Sequence, residues 1–324
     1  MNTTFKKCTI ALLSIVAVLY TSCEDADDNG NIIDPNNSAY DLTETNSEFS
    51  ILNTALIRTG LDATLDSQGT YTVFAPNNAA FNQYFTENGF ANIEAVPIAD
   101  LRAILLYHVL NIEVTSELLN TGYIKTLGKD EEVEALDLFI EATTSVVLNG
   151  SVTVTQADIE VDNGVVHMID KVLDLPTVIT LVAANPEFSN LETALLQQGL
   201  EITLSNTDAS MQDPFTVFAP TDDGFQDLVD LDPMDGLTSL QDILDLTNLT
   251  DILLYHVVGN DRIRSGNISN GVVIDPITTG TFSINTTSGI LITDEQMTEA
   301  NITATDITAV NGVIHKIDIV IRPL

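Results

Sequence analysis

The sequence predicts an α+β fold built twice over, two tandem domains that are each helical in their first half and strand-rich in their second. Three recurrences predict it. Tyr71-Thr72-Val73-Phe74-Ala75-Pro76 returns as Phe215-Thr216-Val217-Phe218-Ala219-Pro220, 144 residues later. Ile104-Leu105-Leu106-Tyr107-His108 returns as Ile252-Leu253-Leu254-Tyr255-His256, and Asn163-Gly164-Val165-Val166-His167 as Asn311-Gly312-Val313-Ile314-His315, both 148 residues on. Collinear matches of this length are an internal duplication, and they divide the chain into an N-terminal leader and two repeats.

Residues 1–22 read as a leader. Lys6 and Lys7 precede an apolar run from Ile10 to Tyr20 that is too short for a hydrocarbon layer needing about 20 residues. The run ends in Leu19-Tyr20-Thr21-Ser22-Cys23, which resembles a bacterial lipobox. That resemblance implies cleavage before Cys23 and acylation of its sulfur and new amine, so the mature chain has no free thiol. Residues 23–39 form an acidic tether, Glu24-Asp25-Ala26-Asp27-Asp28, whose composition cannot bury a core. Acidic residues after such a cysteine look like the export signals of surface lipoproteins in the Bacteroidota, and the expected address is the outer membrane, lipid-anchored and cell-surface exposed. Asp25, Asp27, Asn29 and Gly30 fit the first positions of a calcium loop, but Asn36 stands where a bidentate Glu is needed. The segment therefore reads as a solvated spacer.

The first repeat is assigned to 40–176 and the second to 177–324. Phe49, Leu52 and Leu56, and Phe188, Leu191 and Leu195, have helical spacing, and Gly60 and Gly199 close those helices. Asn185 and Pro186 mark the start of the second one. Tyr71 to Ala75 and Phe215 to Ala219 read as strands stopped by proline, with Asn77 and Thr221 beginning further helices toward Phe81 and Phe225. Leu101 to Leu110 reads as a buried helix turning into a strand. Val152 to Thr155, Val165 to Leu173, Phe282 to Asn285 and Val313 to Ile321 read as strands separated by Asn-Gly or Ser-Gly turns. The Pro176 to Thr180 junction is too short for free domain motion, so packed or stiffly jointed domains are expected.

Eleven Lys and Arg against 47 Asp and Glu give a formal charge of −36, which becomes −38 when the leader takes Lys6 and Lys7 with it. A polyanion without a basic stripe does not bind nucleic acid. Hydrophobic residues at 44% still provide a core. Divalent cations bridging Asp-rich faces to acidic polysaccharide are one expectation from this charge, set against a solvated, aggregation-resistant surface. The four histidines, His108, His167, His256 and His315, fall 59 residues apart within each repeat. A closed zinc site wants four ligands and the cysteines are spoken for, so the histidines are assigned to backbone hydrogen bonds that join helix to sheet. No residue stands in a local context that marks a catalytic group, and no cofactor is called for.

The blocks around Phe74-Ala75-Pro76, Tyr107-His108 and Asn163-Gly164-Val165-Val166-His167, in order and twice, resemble the signature of the fasciclin domain. The resemblance implies a wedge of about seven strands with several packed helices per domain. It implies non-enzymatic cell adhesion and matrix contact. In animal members, a Tyr-His pair among branched apolar residues and an Asp-Ile pair before the Asn-Gly block are associated with integrin binding. These map to Tyr107-His108 and Tyr255-His256, and to Asp158-Ile159 and Asp306-Ile307, with the two aspartates expected to be exposed. The function expected is a surface-anchored adhesion or matrix-binding module, its partners being extracellular matrix, polysaccharide or a cell-surface protein. The alternatives are a glycan- or ligand-capturing accessory lipoprotein of the outer membrane and a periplasm-facing envelope scaffold. The absence of Trp argues against strong sugar stacking.

Overall fold

The computed structural model describes residues 37–207, 213–231, 236–287 and 289–324. The leader, Cys23, the spacer as far as residue 36 and part of the Ser205 to Asp213 loop lie outside the described residues, whereas residues 37–39, assigned to the spacer from the sequence, belong to the first domain, because Ser38 caps the first helix and Ala39 is buried in it. The first repeat opens with helices α1 (Ala39–Thr45), α2 (Ser50–Thr59) and α3 (Asp62–Leu65), followed by strand β1 (Tyr71–Pro76) and helices α4 (Asn78–Asn88) and α5 (Ile98–Tyr107). Strands β2 (Val109–Leu110), β3 (Gly122–Lys129), β4 (Ala135–Ala142), β5 (Val146–Leu148), β6 (Val152–Val161) and β7 (Gly164–Ile169) complete it. The second repeat follows the same order. It runs α6 (Val178–Ala184), α7 (Ser189–Gln198), α8 (Glu201–Leu204), β8 (Phe215–Pro220), α9 (Asp222–Leu231), α10 (Leu240–Leu244) and α11 (Leu249–Tyr255). Then come β9 (Val257–Gly259), β10 (Val272–Ile274), β11 (Phe282–Asn285), β12 (Leu291–Thr293), β13 (Glu299–Ala309) and β14 (Gly312–Ile317).

Each repeat makes a 7-stranded sheet, ordered β2-β1-β7-β6-β5-β4-β3 and β10-β11-β12-β13-β14-β8-β9. The central strands β1 and β7 run parallel, as do β8 and β14, and their other neighbours are antiparallel. Both faces of the central strands are covered, which is why they read as unbroken apolar runs. Alternation along β1 sends Val73 and Ala75 into a core shared with Phe49, Leu52, Leu56 and Phe81, and Phe74 into a second core with Tyr107, Leu138 and Leu148. The second repeat repeats the division, with Val217 and Ala219 on one side and Phe218 on the other.

The helix boundaries follow local chemistry. Asn77 caps α4 by accepting from the Ala80 amide at 2.9 Å. Gly60 and Gly199 close α2 and α7 at φ of 64° and 65°, a conformation cheap only for glycine. Asn185 caps a short 3₁₀ turn, Pro186–Phe188, that leads into α7. The expected helix-to-strand run is α5 passing through His108 into β2. Helices α1 and α6, which no apolar periodicity announced, are instead fixed by reciprocal caps, Ser38 with Asp41 and Thr177 with Thr180.

The Asn-Gly pairs staple each repeat together. Buried Asn163 accepts from the Ala39 amide at 2.9 Å and donates to the Leu65 and Ser67 carbonyls at 2.6 and 2.9 Å. Asn311 does the same with Val178, Leu204 and Asn206. One side chain thereby satisfies three backbone groups that would otherwise be buried unpaired. Gly164 follows at φ 139°, where a Cβ would stand 1.9 Å from the Tyr71 carbonyl oxygen. No other residue fits between β7 and β1 at that point.

The two domains pack against each other. Lys125 of β3 pairs with Asp137 of β4 at 2.6 Å and reaches the Asp306 carbonyl of β13 at 3.0 Å. Asp137 in turn accepts from the Thr308 amide at 2.6 Å. Arg264 meets buried Asp130 at 2.5 Å, and the Tyr123 hydroxyl donates to the Leu181 carbonyl at 2.8 Å. Burial pushes the Asp137 carboxyl above the ordinary aspartate range, against the pull of Lys125.

Candidate functional site

Asp158 lies in β6 with a positive φ of 57°, at a break in the β6–β7 register between Gln156 and Ile159. Asp306 repeats this in β13 at φ 59°, between Ala304 and Ile307. Aspartate tolerates the left-handed region better than branched residues do, and the break behaves as a β-bulge that turns the Asp side chain off the sheet. The Asp158 amide donates to His167 Nδ1 at 3.2 Å, and His167 Nε2 meets the Val114 carbonyl at 3.0 Å. An amide only donates and a carbonyl only accepts, so these partners assign the His167 proton to Nε2. His315 is held in the same way by the Asp306 amide at 3.4 Å and the Ile263 carbonyl at 2.6 Å.

The carboxylates complete the brace. Asp158 accepts from the Ser116 amide at 2.8 Å and from the Ser116 hydroxyl, and Asp306 accepts equivalently from Ser265. Desolvation works to raise the pKa of Asp158, but the two bonds from Ser116 outweigh it and leave the carboxyl below its usual range. Ser, Asp and His thus meet twice in this chain, but not as a nucleophile and its base. The serine bonds the aspartate rather than the imidazole, and both ring nitrogens are taken by backbone, whereas triad chemistry requires the hydroxyl on the imidazole. What the cluster does is clamp the chain after β2 onto the bulge of β6. Replacing Ser116 with Ala should lower stability by about 1 kcal/mol, since the carboxylate is partly solvated and keeps the Ser116 amide. Chemical denaturation reads the change, and an unaltered midpoint would show that the amide alone suffices.

Tyr107 and His108 sit elsewhere, inside the wedge. Tyr107 is fully buried; its hydroxyl donates to the Asp137 carbonyl at 2.9 Å and accepts from Asn149 at 2.8 Å. His108 donates from Nδ1 to the Ile104 carbonyl at 2.7 Å and accepts at Nε2 from the Leu173 amide at 2.9 Å, tying the end of α5 to the chain beyond β7. Tyr255 and His256 repeat this with Thr281, Ile252 and Ile321. Burial pulls His108 and His256 down to about 4, so both are neutral at pH 7. All four histidines therefore make the backbone bonds assigned to them from the sequence.

The Asp-Ile pairs differ between the repeats. Asp158 is exposed, with 38% of its side-chain surface open, and Ile159 is half-buried beside it. Asp306 is half-buried and Ile307 buried, because β4 of the first domain lies over β13 and Lys125 caps the Asp306 carbonyl. The structure therefore leaves one Asp-Ile face open and covers the other. Ser116 and Ser265 were not singled out in the sequence, although their recurrence 149 residues apart carried the signal. Among the described residues no group of three or more His, Cys, Asp or Glu side chains could hold a metal ion, and no helix is long and apolar enough to cross a membrane.

With this geometry in hand, comparison with known proteins is specific. The family model described as the fasciclin domain matches residues 47–176 and 186–323. Transforming growth factor-beta-induced protein ig-h3 of Sus scrofa is 32% identical over 147 residues, covering 44% of this chain and 20% of that protein. Human periostin is 28% identical over 194 residues, covering 59% of this chain and 22% of its own length. The chain thus spans only about a fifth of these relatives. Among solved structures, the FAS1 domain pair of the insect cell adhesion molecule Fasciclin I superposes with a TM-score of 0.53 at 21% identity, over 85% of this chain and 97% of that one. That likeness supports the paired fold.

Proposed function

The chain belongs to the fasciclin domain family, and on that premise we propose that it is a surface-anchored adhesion module, held by a lipid on Cys23, that meets matrix, polysaccharide or a cell-surface protein through the open Asp158-Ile159 face of its first domain. Fasciclin-domain proteins are non-enzymatic adhesion and matrix-binding modules. The observation that carries the finer reading is the asymmetry of the two repeats. Asp306-Ile307 is spent on the domain junction, whereas the same motif in the first domain faces solvent with its carboxylate fixed by Ser116. A preorganised, exposed carboxylate beside a half-buried apolar residue suits contact with a partner at little ordering cost. The anchor is supported by the leader and by the Leu19 to Cys23 run.

Protease treatment of intact cells tests the address, with lysed cells and a Cys23→Ala variant as controls. Digestion on intact cells, lost from the membrane fraction in the Cys23→Ala variant, is the expected result. Protection until lysis would replace adhesion by an envelope scaffold. Adhesion of the purified protein to matrix should fall when Asp158 is replaced by Asn and stay unchanged for Asp306→Asn, each variant first shown to be folded by circular dichroism. Equal effects of the two would remove the first-domain face from the reading. Repeating the assay with a calcium chelator tests cation bridging, which fails if adhesion is unchanged.

A further inference from the structure

A groove opens at the seam between the domains and continues onto the second domain. Its first part is a cleft of about 390 Å³ floored by Tyr123 and Phe139 of the first domain and by Pro186, Ala304 and Ile307 of the second. Tyr123 and Phe139 meet edge to face with centroids 4.9 Å apart, and the Tyr123 hydroxyl is anchored across the seam on Leu181, so the apolar floor is fixed by both domains. Beyond the Glu187–Lys316 ion pair of 3.1 Å, which lines both parts, lies a second hollow of about 420 Å³. Its wall carries Asp222, Asp223, Asp227 and Asp318 besides Glu187, with Lys316 the single cation.

This charge is not a general property of the repeat. Where the second domain has Asp222, Asp223, Asp227 and Lys316, the first has Asn78, Ala79, Gln83 and Met168. Asp222 has a structural task that Asn78 performs as well, since both accept from the start of the neighbouring helix, from Asn190 at 2.8 Å and Ile51 at 3.0 Å. Asp318 accepts from the Asn301 amide at 2.7 Å, as Asp170 accepts from Thr153. Asp223 and Asp227 are exposed and have no such task among the described residues. The extra carboxylates occur only in the repeat whose wall continues the apolar cleft at the seam.

We infer that this seam groove docks a basic polypeptide segment of a partner protein, one apolar side chain entering the cleft over Tyr123, Phe139 and Ile307 and flanking Lys or Arg residues lying along the carboxylate wall. The cleft has ample room for one large side chain, and a site at a domain boundary with an apolar floor is the common form of a binding pocket. Charge complementarity selects the occupant: an anionic chain is repelled by the wall, while a cationic one gains both attraction and orientation. A docking groove of this kind presupposes the adhesive role proposed above, yet the two can fail separately, because binding is read with purified protein and cell-surface address is read by digestion of intact cells.

The test uses the full chain and a fluorescein-labelled pentapeptide of one phenylalanine flanked by lysines, followed by fluorescence anisotropy. Asp223→Ala combined with Asp227→Gln installs side chains that the first repeat already carries, so folding is preserved. It should weaken binding by about fivefold or more. Glu94→Gln combined with Glu113→Gln removes the same charge from the exposed surface of the first domain and should change little. Replacing the peptide phenylalanine by serine should also weaken binding, and raising the salt should weaken it further. Equal losses in the two double variants would mean diffuse attraction to a polyanion and would overturn the site. So would binding indifferent to the phenylalanine, or displacement of the peptide by a neutral oligosaccharide.

Discussion

Replacing Asp130 with Asn should cost about 3 kcal/mol and split the thermal unfolding of the chain into two transitions. The Asp130 side chain is fully buried, and its Oδ1 accepts from the Glu132 and Glu134 amides at 3.0 and 2.8 Å, a role an amide oxygen can keep. Its Oδ2 faces Arg264 at 2.5 Å and Arg262 Nε at 3.9 Å, both from the second domain. Arg262 has only 3% of its side chain exposed, so without the carboxylate its charge stands uncompensated away from water. Removing one partner of a buried pair is far more damaging than the pair's net value, because the survivor keeps its desolvation cost. The cost falls on the coupling between domains, since the carboxylate belongs to one and the guanidiniums to the other. Glu132→Gln is the matching control. Glu132 pairs with the same Arg264 at 3.1 Å but is half exposed, and its loss should cost under about 1 kcal/mol. Calorimetry on both variants decides. If Asp130→Asn still unfolds in one transition with a midpoint no lower than that of Glu132→Gln, the junction is held by its apolar contacts and not by these ions.

That junction is also where the sequence was least readable. The repeats, the proline-stopped β1 and β8, the glycine-closed α2 and α7 and the run from α5 into β2 were all visible, because each depends on residues close together in the chain. Helices α1 and α6 were not. Their seven residues are too few to show a periodic apolar face, and only the caps at Ser38 and Thr177 mark them. The histidines are assigned a structural role because too few ligands accompany them for a closed zinc site, and each does bond backbone. The bulge that turns Asp158 and Asp306 was invisible, since a positive φ at aspartate leaves no pattern in the residues around it. Whether an Asp-Ile pair is open or covered could not be read at all. It depends on Asp137 meeting Thr308 across 171 residues, a contact that local spacing does not encode. The identical dipeptide is therefore exposed in one repeat and partly buried in the other.

Acidification should destabilise both domains well before the carboxylates titrate. His108 and His256 are wholly buried, and burial holds them at about 4 against an ordinary value of 6.5. In each, one ring nitrogen accepts from a backbone amide, so protonation would break that bond as well as bury a charge. The unfolded chain takes up these protons first. Stability from the neutral imidazoles is therefore fully present above pH 6.5 and drains as pH falls toward 4, below which both states are protonated and the loss is complete. The gap corresponds to about 3 kcal/mol for each domain, of which about 2 kcal/mol is gone by pH 5. His167 and His315 are also depressed by burial and act with the same sign. Two effects oppose them. Asp137, raised by burial, is protonated more readily in the folded state, and neutralising carboxylates relieves self-repulsion in a chain of charge −36. Relief of self-repulsion acts mainly near and below pH 4, and Asp174 is raised by burial as Asp137 is, so histidine variants isolate the imidazole contribution from that of the carboxyls. Urea denaturation from pH 7.5 to 5 should show midpoints falling steadily below pH 6.5. In a His108→Gln variant the fall should shrink, and it should shrink about twice as much when His256 is replaced by Gln as well. Midpoints that stay flat to pH 5 in the unaltered chain would mean that the fold accommodates charged imidazoles, and the tautomers assigned from the backbone partners would have to be abandoned.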